Sequence, residues 1–427
     1  MPSQEVYEAE LNEVYVKQSG DNSNSGTSIG QEKKSLNSAY NLLGDNACNI
    51  YVVYDEIPLV AEEIEFSKNQ GITIEGTKSD GSGNTEVTID CNVSVQHSLF
   101  SFTKPVEFKY LAFRFSATEH KWSGLICETL SGSSLAINFC RFARVGAQSQ
   151  GGITSNGDGN KPVADYLVKT YNGKIVMNSV SCTDEASFMT FSGPLFDFNE
   201  PKEVTLNGVE ISKVNILDGA VLEIIKHYQN MSEVSIEGLN IQNVNTAKGT
   251  TAGLRLECKC EGSTVSIGRS RKCTFKSCSA PNGYSGAIYL EMKQTMSHLK
   301  LPAAHNLDID SSNTVNTTSR SVFIIAPDIE EFLEQEGAIE FAFDYNESAV
   351  GWIIAKKDFI SDPVDVYEKY VKVKQDLAKM KKTLKIIAIV VPIVVVVVAV
   401  IVVVVVVVIV RKRKSKVDYS FLYWVIF

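Results

Sequence analysis

The chain contains no Walker-type phosphate loop, no G-x-S-x-G elbow, no H-E-x-x-H pair and no dinucleotide fingerprint. Those absences remove the enzyme classes that a short local motif would announce. Histidine is scarce. The five residues, at 97, 120, 227, 298 and 305, are scattered, and none has a partner at ligand spacing. Basic charge is also in deficit. Residues 1–385 carry 36 Lys and Arg against 49 Asp and Glu, a net charge of −13 for that portion. This excludes the basic footprint of a nucleic-acid binder and otherwise supports solubility. Nine cysteines stand at 48, 91, 127, 140, 182, 258, 260, 273 and 278. The chain is too long and too poor in cysteine for a small disulfide scaffold. The one cluster, Cys258, Cys260, Cys273 and Cys278, has C-x-C and C-x4-C spacing rather than the C-x2-C pairs of a zinc site. Packed thiols or a disulfide remain as readings. No cofactor, metal ligand set or catalytic residue is assigned.

Two further features are missing. Residues 1–18, MPSQEVYEAELNEVYVKQ, have neither a basic n-region nor an apolar h-region. Taken literally this predicts a tail-anchored protein with a cytosolic domain, the alternative being a leader ahead of Met1. Long helical periodicity is absent until residue 363.

What the chain does have is an apolar run, residues 386–410, from Ile386 through Pro392 to Val410. Nothing in the run carries a charge or a polar side chain. As a helix it would be about 37 Å long, against a hydrocarbon core of roughly 30 Å. Its summed insertion preference is roughly −10 kcal/mol. Val and Ile favour strands in water, but lipid forces the backbone to satisfy itself, so the run is expected to be a transmembrane helix. Its partner is the lipid bilayer. Arg411, Lys412, Arg413, Lys414 and Lys416 follow as a basic membrane flank suited to anionic headgroups. Residues 411–427 form a short basic tail whose last stretch, from Tyr419, is too short to span. Six Lys/Arg in 371–385 nearly balance five in 411–425, so flanking charge does not orient the span.

Residues 14–53, VYVKQSGDNSNSGTSIGQEKKSLNSAYNLLGDNACNIYVV, read as strand, Gly/Asn/Ser turn, short helix, turn and strand. Leu36, Ala39, Tyr40 and Leu43 share one helix face, and Gly44 suits the position after a helix end. From 57 to 360, short strand-like runs alternate with Gly, Asn, Ser and Asp. Three units align, starting at Val204 (VTLNGVEISKVN), Val234 (VSIEGLNIQNVN) and Val265 (VSIGRSRKCTFKSC). Their second strands are AVLEII, AGLRLE and GAIYLE, and a weaker unit starts at Lys174 and ends in PLFDFN. Successive starts are separated by about 30 residues, and a fixed period of this length marks a repeat architecture. Asn215 and Asn245 occupy equivalent corners and are expected to stack. A sandwich would not explain the shared unit, and a propeller blade would need about 40–45 residues.

The opening segment resembles the first coil and capping helix of right-handed parallel β-helix proteins, the pectin-lyase-like superfamily. The stretch CTFKSCSAPNGYSGAIYLE (273–291) is similar to the repeats of large β-helical surface and adhesin-like proteins; Phe139 to Phe142 followed by Gly151-Gly152-Ile153 is a looser copy. The resemblance implies an all-β fold, a right-handed parallel β-helix solenoid with an N-terminal capping helix. A stalk helix and one transmembrane helix would follow. The expected divisions are an extension at 1–13, a β-helix domain at 14–362 with its cap and first coil at 14–53, a closing coil within 327–362, a stalk at 363–385, the span at 386–410 and the tail at 411–427.

The function so implied is a single-pass surface or adhesion protein, non-enzymatic, at the cell surface with residues 1–385 outside. It would bind carbohydrate or protein ligands on the solenoid face. The alternatives are a membrane-bound polysaccharide lyase or glycoside hydrolase on the same fold, and a tail-anchored protein with a cytosolic solenoid. The enzyme would need carboxylates and cations from successive coils to converge on one outer face. The nearest carboxylate pairs in sequence are Asp184-Glu185 and Asp308-x-Asp310, the latter spaced for one strand face. N-glycosylation sequons stand at Asn92, Asn230, Asn316 and Asn346, about as many as chance supplies.

Overall fold

The computed structural model describes residues 11–67, 70–91, 98–116, 122–129, 133–145, 164–183, 188–227, 233–258, 264–292, 299–300, 306–309, 312–315, 318–319, 321–326, 352–356 and 363–425. The chain divides into two units, 1–361 and 362–427.

The first unit is a parallel β-solenoid. Its strands join one hydrogen-bonded sheet system in which each coil pairs with the coil before and after it. Three ladders run along it. One passes from Glu13–Val16 through Cys48–Val53, Ile72–Thr77, Val106–Lys109 and Leu135–Asn138 to Lys174–Thr183 and beyond. A second passes through Val87–Asp90, Leu111–Ser116 and Arg141–Val145 to the later half of Glu203–Ile216. The third runs from Ile64–Phe66 through Phe100–Phe102, Trp122–Thr129, Ala164–Tyr171, Phe196–Asn199, Leu222–Lys226, Leu254–Cys258 and Ile288–Met292 to Val322–Ala326 and Trp352–Lys356. Among the described pairings between named strands, only Thr314–Val315 with Thr318–Ser319 is antiparallel.

The repeat units fall into register residue for residue. Val204 pairs with Val234 and Val234 with Val265, while Leu222, Leu254 and Ile288 align in the second strand. The steps are unequal along the third ladder. The stretch from Phe196 to Leu222 is the shortest, that from Leu222 to Leu254 is longer, and that from Leu254 to Ile288 is longer again. The connecting segments absorb the difference between these steps, and the ladder shifts register within a strand only between Gly124 and Cys127 among the described third-ladder pairings. A one-residue slip would turn every buried side chain outward.

Period-2 alternation fills the core. Val204, Leu206, Val209 and Ile211 are buried along one strand, and rings stack from coil to coil: Phe66 on Phe102 at 5.2 Å and Phe113 on Phe142 at 5.2 Å. Corners recur at equivalent positions. Tyr110, Phe139, Ser179, Gly208 and Gly238 all adopt left-handed φ between 52° and 69°. Each follows a polar residue of one register row, Lys109, Asn138, Asn178, Asn207 and Glu237. The Asn178 amide donates to Asn138 at 2.7 Å and Asn138 to Glu107 at 2.7 Å. The expected pair also stacks, with Asn245 donating to Asn215 at 3.1 Å. Such side-chain ladders pair polar groups along the corners, although the Asn215 Nδ2 stays buried without a partner.

The N-terminal helix α1 is shorter than its apolar spacing predicts, Leu36–Tyr40. Ser35 caps it by accepting from the Ser38 N–H at 3.2 Å, a preferred N-cap arrangement. Leu36, Ala39 and Tyr40 are buried and the helix packs on the first two strands. The Tyr40 ring meets Phe66 edge-on at 5.0 Å. Gly44 is not a left-handed cap. Leu42 and Leu43 turn the chain first, and the Gly44 N–H donates to Leu11 O at 3.3 Å.

The second unit is one continuous helix, α2, Pro363–Val425. It contains Pro392 without ending there, and its apolar window lies within Lys379–Lys412 with no buried share. By length and composition this helix can cross a membrane.

Candidate functional site

The third ladder carries a row of chemistry on the face opposite the core. Lys169, Asp197, Glu223, Arg255, Tyr289 and Phe323 occupy one register position on six successive strands. Each lies between two inward residues, as Asp197 does between Phe196 and Phe198, so the pleat aims it outward. Two residues further along, Tyr171, Asn199, Ile225, Glu257 and Glu291 form a parallel row.

The two rows are tied together. Lys169 Nζ lies 3.3 Å from Asp197 and within 5.5 and 5.2 Å of the Tyr166 and Tyr171 ring centres. Asn199 donates to Asp197 at 2.6 Å. The Arg255 guanidinium reaches Glu223 at 3.4 Å, and its Nε donates to Glu257 at 2.7 Å. His227 Nε2 lies 3.1 Å from the same Glu257. Glu223 also accepts the Ala220 N–H at 3.0 Å. The Tyr289 hydroxyl donates to Glu291 at 3.1 Å, and the Tyr289 ring stacks on Phe323 at 5.7 Å.

Burial within the site is layered. The side chains of Asp197, Glu223 and Glu257 are 11, 6 and 5% exposed, whereas Lys169, Arg255 and His227 are 25, 26 and 28% exposed. The carboxylates lie beneath, and Lys169, Arg255 and the His227 ring lie above. Burial pushes Asp197 above the usual carboxylate range, opposed by Lys169, and pushes Glu223 up against the pull of Arg255. Burial works against the charge of Lys169 and Arg255, but their partners win and both are held more firmly protonated than usual. Burial and the Glu291 carboxylate push the Tyr289 hydroxyl well up.

Chemically this is a polar and aromatic strip that follows the strand-to-strand spacing of about 4.8 Å. Two carboxylates, Asp197 and Glu223, lie between the cations Lys169 and Arg255, with rings at both ends. A groove of about 340 Å³ lies elsewhere, lined by residues that include Asn49, Thr73, Glu107, Ala136 and Lys174. None of its lining residues belongs to the charged rows.

The sequence does not single out this strip. Its members are the D, E, R and Y of FDF, LEI, LRL and IYL, legible only once the units are aligned. Asp308 is drawn into a different pair. Lys272 and Lys276 approach it at 3.1 and 3.2 Å and, against its partial burial, hold its carboxyl below the ordinary value. Asp310, Asp184, Glu185, four of the five histidines and all four sequons, Asn92, Asn230, Asn316 and Asn346, lie outside the described residues, as do residues 327–350 of the expected closing coil and Gly151 to Ile153. Ile386, Pro392 and Val410 lie in α2, followed there by Arg411, Lys412, Arg413, Lys414 and Lys416.

Cys48, Cys91, Cys140, Cys182, Cys258, Cys273 and Cys278 are buried free thiols. Burial pushes Cys140 up to about 12 and Cys273 up to about 11, which keeps them unreactive. Among the described residues no group of three or more His, Cys, Asp or Glu is placed to hold a metal ion. Comparison of the chain with family models, curated proteins and solved structures finds no match.

Proposed function

We propose that this chain is a single-pass membrane protein whose solenoid stands outside the cell and binds a carbohydrate or protein ligand without catalysis. The observation that carries this reading is the register row from Lys169 to Phe323. Along six coils the row sets buried carboxylates and rings beneath the partly exposed Lys169 and Arg255, and the apolar helix α2 supplies the anchor. The carboxylates are nearly covered and already paired, so the strip offers a firm, prearranged surface rather than open acid and base groups. Tyr171 is 37% exposed beside Lys169, a combination suited to stacking on a sugar ring or a peptide side chain.

The test uses the full-length chain in intact cells, probed with an immobilised panel of neutral and acidic oligosaccharides and extracellular-matrix proteins. Retention on at least one surface, lost in Tyr171→Ala at an unchanged melting temperature, supports the reading. Retention indifferent to Tyr171 and Lys169 removes it.

A polysaccharide hydrolase or lyase is favoured by one observation. Asp197 and Glu223 stand on adjacent strands, both pushed up by burial. Strand spacing of about 4.8 Å is close to the roughly 5–5.5 Å carboxyl separation of retaining glycosidases. Product release from a polysaccharide, abolished by Glu223→Gln, would replace the binding reading with this one. The buried free thiols favour the opposite orientation, with the solenoid in a reducing compartment. Surface labelling of intact cells, or a glycan on Asn230 or Asn316, separates inside from outside.

A further inference from the structure

The apolar stretch of α2 is longer than an average bilayer requires, and its ends are fixed. Residues 386–410 lie inside one continuous helix, with Lys385 immediately before and Arg411 immediately after. Lys379, Lys381 and Lys382 reinforce the first end, and Lys412, Arg413 and Lys414 the second. The cations can reach back to the interface along their own side chains, but moving either end further inward draws charge toward hydrocarbon. The helix therefore presents about 37 Å of apolar length between two charged stops.

A helix relieves excess length by tilting, by kinking, by thickening the bilayer or by associating. Association has little to work with. The only small side chains in the run are Ala388 and Ala399, eleven positions apart, and close helix packing uses small residues one turn apart. Kinking has one site, Pro392, seven residues into the run, where the helix continues. Tilt remains. A bilayer of about 27 Å would demand a tilt of about 45°, beyond the usual range of roughly 0–40°. One of about 32–33 Å needs about 30°.

We infer that α2 selects thick bilayers, so that the protein concentrates in membranes rich in long, ordered acyl chains and is disfavoured in thin ones. This rests on the membrane-anchor reading above. The partner is the bilayer itself, recognised by hydrocarbon thickness rather than by headgroup.

The experiment offers the purified full chain, released from detergent, two sterol-free vesicle populations at once. Both are phosphatidylcholine, one short-chain and one long-chain, each carrying a different lipid dye. The expected result is about tenfold more protein in the long-chain vesicles, since mismatch costs a fraction of a kcal/mol per Å. Deleting Val402–Val406 leaves an apolar run of about 30 Å and should erase that preference while leaving insertion intact. Equal partition of the full-length chain, or a preference for short chains, overturns thickness selection and leaves the anchor standing. Protein stripped from both populations by alkaline carbonate overturns the anchor and this inference together. A preference unchanged by the deletion overturns thickness as its cause. A preference seen only after sterol is added to both populations assigns it to sterol contact and likewise overturns it.

Discussion

Valine does opposite things in the two units. In the solenoid, Val204, Val214, Val234 and Val265 are fully buried in strands. In α2, Val394 to Val398 lie in a helix, each 50–61% exposed. The side chain is the same, and its β-branch favours the strand. What differs is where the backbone finds hydrogen bonds. A solenoid strand borrows them from the coils above and below, which a repeating sequence supplies about every 30 residues. The valine tract has no polar corner and no repeat to pair with, and in lipid it must bond to itself. The pattern around the valines, more than their propensity, decides the backbone.

The largest expected effect breaks the solenoid side of this comparison. Ile236→Asp places a carboxylate where the side chain is fully buried, at a cost of several kcal/mol, enough to unfold a marginally stable domain. Loss of the strand circular-dichroism signal checks it. Next is Arg255→Met, which strands Glu223 and Glu257 beneath the surface without their cation. Removing one partner of a buried pair costs about 3–5 kcal/mol, read as a large fall in melting temperature.

Val398→Asp is the counterpart of the first change. It should cost about 2.5–3.5 kcal/mol of membrane insertion and leave the solenoid's melting temperature unchanged, measured by carbonate extraction and calorimetry on the same sample. A solenoid that melts early in this variant would mean the two units are not independent. Asn245→Ala removes one rung of the side-chain ladder with Asn215 and should cost about 1 kcal/mol, visible in the denaturation midpoint.

The smallest effect is a dependence on pH. Asp197 and Glu223 titrate above the ordinary carboxylate range when folded. Between the unfolded and folded values the native state holds more protons, so these two groups stabilise the fold as pH falls through that window and lose the contribution as pH rises. Asp308, held low by Lys272 and Lys276, acts in the reverse sense: its contribution is present above the ordinary value and lost as pH falls through its folded one. Beyond burial, the groups that shape the first effect are Lys169, Asn199 and Arg255, which oppose it, and the mutual repulsion of Asp197 and Glu223. Melting curves of the parent and of Asp197→Asn across the acid range should diverge in the upper window and converge below it.

Much of the solenoid is legible in the sequence because its signals are local or periodic. The units at Val204, Val234 and Val265 align by eye, and the structure pairs those very residues. Asn215 and Asn245 are readable as a stack because their corners match. The apolar helix is readable from composition. The charged strip is not, because Lys169, Asp197, Glu223 and Arg255 are single residues in separate strands. Nothing short-range marks them, and they become one surface only after the coils stack. The end of α1 escapes as well. Leu43 fits the helical face by spacing, but the turn at Leu42 and the contact with Leu11 end the helix at Tyr40.

The unequal steps between coils have a consequence for how this protein can change. From Phe196 onward the third ladder keeps its register at each strand, so a residue gained or lost in a connecting segment is forgotten one coil later. The interior then behaves as a fixed spine and the connections as free text. The successive steps from Phe196 to Leu222, Leu254 and Ile288 are three different lengths accommodated by the same spine. A lineage could rewrite the rim of the charged strip, its shape and reach, without renegotiating the fold beneath it.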